Sequence, residues 1–187
     1  MGAANERELL RRIKKDPQAF GLVYDENYNS IFSYVFRRLG NYDIAKDVTA
    51  ETFLKAYQKI GFFEWRSVPI SAWLFRIATN EINQYLRTLK YAPACVDEAH
   101  LQLPYEAGIE TEKAALEKAL RENQDFSMIQ KQLLLLDRKY QEVIALRFFE
   151  SKSIKEISAI LLKKEGTIKS LLSRGLEKLR IKLSDAL

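Results

Sequence analysis

The sequence predicts an all-α chain: two small helical domains joined by a flexible acidic linker, the second domain ending in a helix-turn-helix. Three observations predict it. Only 7 Gly and 4 Pro punctuate 187 residues, which favours long helices over many short strands. Apolar residues recur at helical spacing in both halves. Between the halves, the stretch from Tyr91 to about Asp125 holds Pro93, Pro104 and Gly108. Its acids (Asp97, Glu98, Glu106, Glu110, Glu112, Glu117, Glu122, Asp125) outnumber its bases (Lys113, Lys118, Arg121). With 47% hydrophobic and 29% charged residues the chain can bury a core and is not disordered as a whole.

The elements follow in order. Asn5 to Lys15 reads as a short helix. Asp16-Pro17 marks the next start, with Asp as N-cap and Pro at the first helical position. Phe20, Val23, Tyr24, Tyr28, Ile31, Phe32, Val35 and Leu39 then hold one apolar stripe up to Gly40, a natural stop. Asp43 can cap a further long helix carrying Ile44, Val48, Phe53, Leu54, Tyr57 and Ile60, ending at Gly61. An irregular piece, FFEWRSVPI, precedes a helix from Ser71 to Leu89. This first domain spans 1–90 and the linker 91–111. The second domain, 112–187, opens with Glu112–Asn123. It continues with Ser127–Leu136 and with Arg138–Glu150, capped by Asp137. In its last part Ser153 and Glu156 have capping-box spacing, and Ile154, Ile157, Leu161, Ile168, Leu171 or Leu172, and Leu176 supply a buried side. Thr167, Lys169, Ser170, Ser173 and Arg174 then face outward. Such a second helix can enter a DNA major groove; the plainer alternative is a helical hairpin with a solvated basic face.

Composition narrows the function classes. The net charge of +5 is compatible with nucleic acid without requiring it. A single cysteine, Cys95, excludes an intramolecular disulfide, and with the single histidine, His100, it makes at most a poor metal site. No metal, no cofactor and no catalytic residue is expected. No apolar run reaches membrane-spanning length, and the N-terminus lacks the apolar core of a secretory signal. The expected location is the cytoplasm.

Two further stretches carry chemistry. In DVTAETFLKAY, Asp47 and Glu51 lie four apart on one helical face. They form either a solvated acidic patch or a docking surface for a basic partner helix. FFEWRSVPISAWLFRIATNEINQYLR interleaves Phe62, Phe63, Trp65, Trp73 and Phe75 with Arg66, Arg76 and Arg87, and includes Asn80. Aromatic rings can stack on unpaired bases while Arg neutralises phosphate, and Asn can pair with a base edge. The alternative is that most of these aromatics are core.

Both halves, in this order, resemble the sigma-70 family of bacterial RNA polymerase initiation factors, and in particular the small two-domain extracytoplasmic-function (ECF) type. DVTAETFLKAY is similar to that family's polymerase-docking helix, and AWLFRIATN to its promoter-melting segment. LLLLDRKYQEVIALRFFESKSIKEISAIL followed by EGTIKS is similar to its upstream-element-binding domain. The resemblance covers most of the chain from Phe20 to Leu183, the linker excepted.

The resemblance implies a factor that binds core RNA polymerase, recognises −10 and −35 promoter elements, assists melting and is not itself an enzyme. It implies that Asp47, Glu51 and Phe53 contact the clamp helices of the largest subunit. Asn80 would capture a flipped −10 base, with Phe63, Trp65 and Arg76 beside the melted strand. Arg147, Lys169, Ser170, Ser173 and Arg174 would meet the −35 duplex; Lys163, Lys164 and Thr167 are expected beside them on their own charge and position, not from the resemblance. Further implied partners are the flap of the second-largest subunit and an anti-sigma factor or recruiting protein; no membrane is implied. The chain departs from the family pattern where Leu162 replaces a turn Gly, Lys163 and Lys164 replace an apolar residue and a small N-cap, and Leu171 replaces an arginine. These departures predict an altered turn and weaker upstream readout. A dimeric helix-turn-helix regulator and a helical enzyme are the rival readings. The absence of a dimerisation seam and of a nucleophile–base constellation argues against them.

Overall fold

The computed structural model describes residues 3–63, 68–91 and 124–185. Its α-helices are α1 (Ala3–Lys15), α2 (Gly21–Leu39), α3 (Tyr42–Lys59), α4 (Ile70–Tyr91), α5 (Gln124–Leu134), α6 (Arg138–Ile144), α7 (Ile154–Leu161) and α8 (Glu165–Ser184). No strand occurs among the described residues. The expected linker lies outside them apart from Tyr91, which ends α4, as does the expected helix Glu112–Asn123.

Local signals explain most boundaries. The Asp16 carboxylate accepts from Gln18 N–H at 3.0 Å, but it caps a 3-10 turn, Pro17–Phe20, ahead of α2 rather than α2 itself. The stop at Gly40 takes the left-handed conformation, φ 69°, and its N–H donates to the Phe36 carbonyl at 2.8 Å. This is a glycine C-terminus. The cap of α3 is Asn41, whose side chain accepts from Ile44 N–H at 3.1 Å; Asp43, the expected cap, sits in the first turn. Asp137 makes no side-chain cap. Gln141 fixes the turn before α6 instead, donating to the carbonyls of Leu134 (3.0 Å) and Leu136 (2.8 Å). The expected helix to Glu150 changes to a π turn at Ala145–Phe149. Ser153 and Glu156 form the full capping box that opens α7.

In the first lobe α2, α3 and α4 pack mutually around Ile31, Tyr34, Val35, Leu74, Phe75 and Ile82. In the second, α8 packs on α6 and α7 through Ile168, Leu172 and Leu179. Gly175 lets α8 come close to α6, since a Cβ there would lie 3.1 Å from Ile144 Cδ1 and 3.2 Å from Tyr140 Cβ. Leu176, expected inside, is exposed, as are Leu54, Tyr57 and Tyr24 of the expected first-lobe stripes. The two lobes touch. α7 packs on α4, and α2 meets both the π turn and α5.

Candidate functional site

The expected polymerase-contact residues divide. Asp47 is exposed on α3. Glu51, one turn on, is 46% exposed, and its carboxylate lies 3.3 Å from Lys55 Nζ. Lys55 is held more closely by Glu81 of α4, at 2.5 Å. That hydrogen bond, with the lesser one from Glu51, raises the Lys55 pKa against the opposing effect of burial. Phe53 is only 4% exposed, with its ring 4.8 Å from Tyr24 and 6.2 Å from Tyr28. Facing the core, it supports the acidic stripe from behind rather than presenting a contact surface. Leu54, 50% exposed, shares the stripe of Asp47 and Glu51. Its i+7 and i+3 spacing to them is visible in the sequence, although the apolar stripe predicts Leu54 buried.

The expected −10 residues also divide. Phe63 is half-buried, its ring 4.7 Å from Trp73, and Trp65 lies outside the described residues. Phe62, by contrast, is 88% exposed. Asn80 is exposed on α4. Arg76, one turn before it, is half-buried, and its Nη2 donates to the Ala159 carbonyl of α7 at 2.5 Å. Phe75 is buried, as the core reading of these aromatics had it.

The second lobe gathers most of the expected −35 residues on one exposed surface. Along α8, Thr167, Lys169, Ser170, Ser173 and Arg174 are exposed while Ile168 and Leu172 are buried. The Ser170 hydroxyl donates to the Gly166 carbonyl at 3.0 Å. Lys164 is exposed at the helix N-terminus, where no side chain caps the helix. Lys163 is half-buried, and its carbonyl accepts from the Ser158 hydroxyl at 2.5 Å. Arg147 is exposed but donates to the Lys152 carbonyl at 3.0 Å.

The turn between α7 and α8 keeps a left-handed residue despite having no glycine. Leu162 sits at φ 54°, ψ 40°, and is 73% exposed. The expected change of turn geometry is replaced by strain at one residue. A branched residue in this region costs roughly 1–2 kcal/mol, part of which glycine loses again to chain entropy. Leu162→Gly should therefore stabilise the protein by up to about 1 kcal/mol. A urea midpoint equal to or below the wild type would show that the turn is not strained.

At the junction of the lobes the guanidinium of Arg37 lies 4.2 Å from the centre of the Phe149 ring. Beside it, burial pushes the Glu150 carboxyl up to about 7, against the opposing pull of Arg37 and Lys152. Arg38 is fully buried, with Nη1 donating to Tyr34 Oη at 3.1 Å and Nη2 3.8 Å from a Glu142 carboxylate oxygen. The sequence reading missed this cluster, because an arginine pair ending a helix ordinarily reads as a solvated, dipole-favourable C-terminus.

Comparison with known proteins agrees with this geometry. The Sigma-70 region 2 model matches residues 23–91, and the Sigma-70, region 4 model matches residues 126–179. The chain is 33% identical over 183 residues to the ECF RNA polymerase sigma factor SigW of Bacillus subtilis, covering 96% of this chain and 97% of that one. It is 28% identical to the ECF RNA polymerase sigma factor BldN of Streptomyces coelicolor, over 98% of this chain and 67% of the relative. Among solved structures, CnrH in complex with the cytosolic domain of CnrY shares the fold with a TM-score of 0.67 at 23% identity, covering 96% of this chain and 97% of that chain. RpoE of Bartonella quintana, solved with the anti-sigma factor NepR, gives 0.66 at 24% identity, covering 88% and 96%. Among the described residues no helix is long and apolar enough to cross a membrane. The two region matches, in their order along the chain, and the identity over nearly the whole length of SigW place this chain in the ECF group of RNA polymerase sigma factors.

Proposed function

We propose that the chain works as a cytoplasmic initiation factor whose two lobes divide promoter recognition, and that it catalyses no step itself. The first lobe, 1–90, docks on core RNA polymerase through the stripe of Asp47, Glu51 and Leu54 and holds melted −10 DNA against α4. The acidic segment 91–111 joins it to the second lobe, 112–187. That lobe lays α8 on −35 duplex and meets the polymerase flap. Phosphodiester chemistry belongs to the polymerase.

The observation that supports this reading best is the division of α8. Ile168 and Leu172 anchor one side, leaving Thr167, Lys169, Ser170, Ser173 and Arg174 on the exposed other side. Hydroxyls and cations on one helix face can meet phosphates and base edges together. Arg147, Lys163 and Lys164 would add phosphate contacts, which position the helix without reading sequence. Leu171 is half-buried where the family pattern has an arginine, which supports upstream binding that is weaker or assisted by a recruiting protein. An anti-sigma factor is the expected regulator.

Asn80 provides the test of the −10 role. Its exposed amide can offer a donor and an acceptor to one base edge. Extruding that base costs a few kcal/mol, which the pocket must offset. Asn80→Ala should lower open-complex formation about tenfold, equivalent to losing roughly 1.4 kcal/mol of discrimination, with closed-complex affinity nearly unchanged. Permanganate footprinting that finds equal melting for the two proteins would remove base capture by Asn80.

A further inference from the structure

The acidic stripe of α3 is interrupted by a cation. Asp47 and Glu51 lie one turn apart, and the next position on the same face is Lys55. A lysine there would repel the basic partner helix that the two acids suit. It would also neutralise Glu51, whose carboxylate lies 3.3 Å from its Nζ. Along α3 alone, the stripe ends in the wrong charge.

The fold supplies the missing acid from another helix. Glu81 of α4 accepts from Lys55 Nζ at 2.5 Å, closer than Glu51. The Glu81 side chain is 11% exposed and that of Lys55 27%, while Glu51 keeps 46%. The ammonium is thus held toward α4, and the more open carboxylate is left for a partner. The charge-assisted bond to Glu81 is of the strong kind, whereas an exposed i,i+4 pair such as Glu51–Lys55 is weak. A purely mechanical role is the plainer account of the contact. However, α3 and α4 already pack through buried side chains, and a partly open ion pair at their edge adds little to stability.

We propose that Glu81 is a positioning residue for polymerase docking: by holding Lys55 it keeps Glu51 available to a basic side chain of the core enzyme. The inference rests on the docking role proposed for Asp47 and Glu51. It gives α4, the helix that carries Asn80, a second part in the factor's work. Glu81 lies 26 residues beyond Lys55, so the pattern of α3 alone does not reveal it.

Binding of the full chain to core RNA polymerase tests this assignment of charge. In Glu81→Gln the ammonium loses its closer carboxylate and turns to Glu51. Affinity at low salt should fall about threefold, the effect of one unit charge at a solvent-open rim. Glu81→Asp keeps the charge and should recover part of the loss. Lys55→Met removes the repelling cation and should tighten binding about threefold, a gain that misfolding cannot produce. In that background Glu81→Gln should have no further effect, since no lysine is left to release. Raising the salt should shrink both differences, and thermal melts check the fold. An equal loss for Glu81→Gln in both backgrounds would show Glu81 acting directly or through the fold, and overturns the inference. Weaker binding of Lys55→Met overturns it too, because the lysine would then meet the partner itself. With Glu51→Arg weakened and Glu81→Gln unchanged, Glu81 alone loses its role. With both unchanged, the docking reading falls as well.

Discussion

Glu51→Arg is expected to weaken binding to core RNA polymerase by about a hundredfold or more, with the fold preserved. Asp47 and Glu51 form an acidic stripe on α3, with exposed Leu54 on the turn that follows. A like charge placed opposite a partner's basic helix costs several kcal/mol, and each 1.4 kcal/mol is roughly tenfold in affinity. The local structure tolerates the change. Lys55 loses one carboxylate but keeps Glu81 at 2.5 Å, the closer of its two partners. A new arginine near Lys55 adds a repulsion at a site open enough for solvent to screen it. Titration of labelled protein with core enzyme checks the affinity, and a thermal melt checks the fold. Affinity within twofold of wild type would remove the docking role of this face. A uniform loss of melting temperature would instead assign Glu51 to stability.

Much of this architecture was legible because helix signals are local. The capping box of Ser153 and Glu156, the Asp16-Pro17 start and the Gly40 stop each depend on residues within one or two turns. The family resemblance was legible from the order of its motifs. Which apolar residues of a helix go inside was less legible. α3 meets α2 on one side and α4 on another, so Val48, Thr52, Phe53 and Ala56 are buried while Leu54 and Tyr57 are left out. Periodicity identifies a helix more securely than it counts the neighbours that cover it. Phe53 is buried as the apolar stripe has it, while Leu54 of the same stripe is left exposed. The burial of Arg38 was not legible at all. It depends on α6, about a hundred residues later in the chain, bringing Glu142 against α2. No local pattern encodes that contact. The strained Leu162 was legible as a departure from pattern, but not as a turn that keeps its shape.

Removing the charge of Glu142 should have the largest effect on stability, and its size should be self-limiting. With the lobes in contact, Glu142→Leu leaves the Arg38 guanidinium fully buried without the carboxylate that faces it. Breaking a buried pair in this way costs about 3–5 kcal/mol. Opening of the lobes offers an alternative, because Arg38 then meets water and the penalty ends. The measured loss cannot exceed the free energy that holds the lobes together, so it reports that quantity. Arg38→Met with Glu142→Leu should recover the loss and exceed wild-type stability, since well-packed apolar replacements of buried ion pairs are often neutral or stabilising by about 1–4 kcal/mol. Tyr34 tolerates the exchange because its hydroxyl retains Thr79 at 2.9 Å. Urea unfolding of the wild type, both single variants and the double variant forms the required cycle. A coupling energy below about 0.5 kcal/mol would place Arg38 and Glu142 apart in solution. A coupling energy of several kcal/mol would place the two groups together in solution, at the contact between α2 and α6.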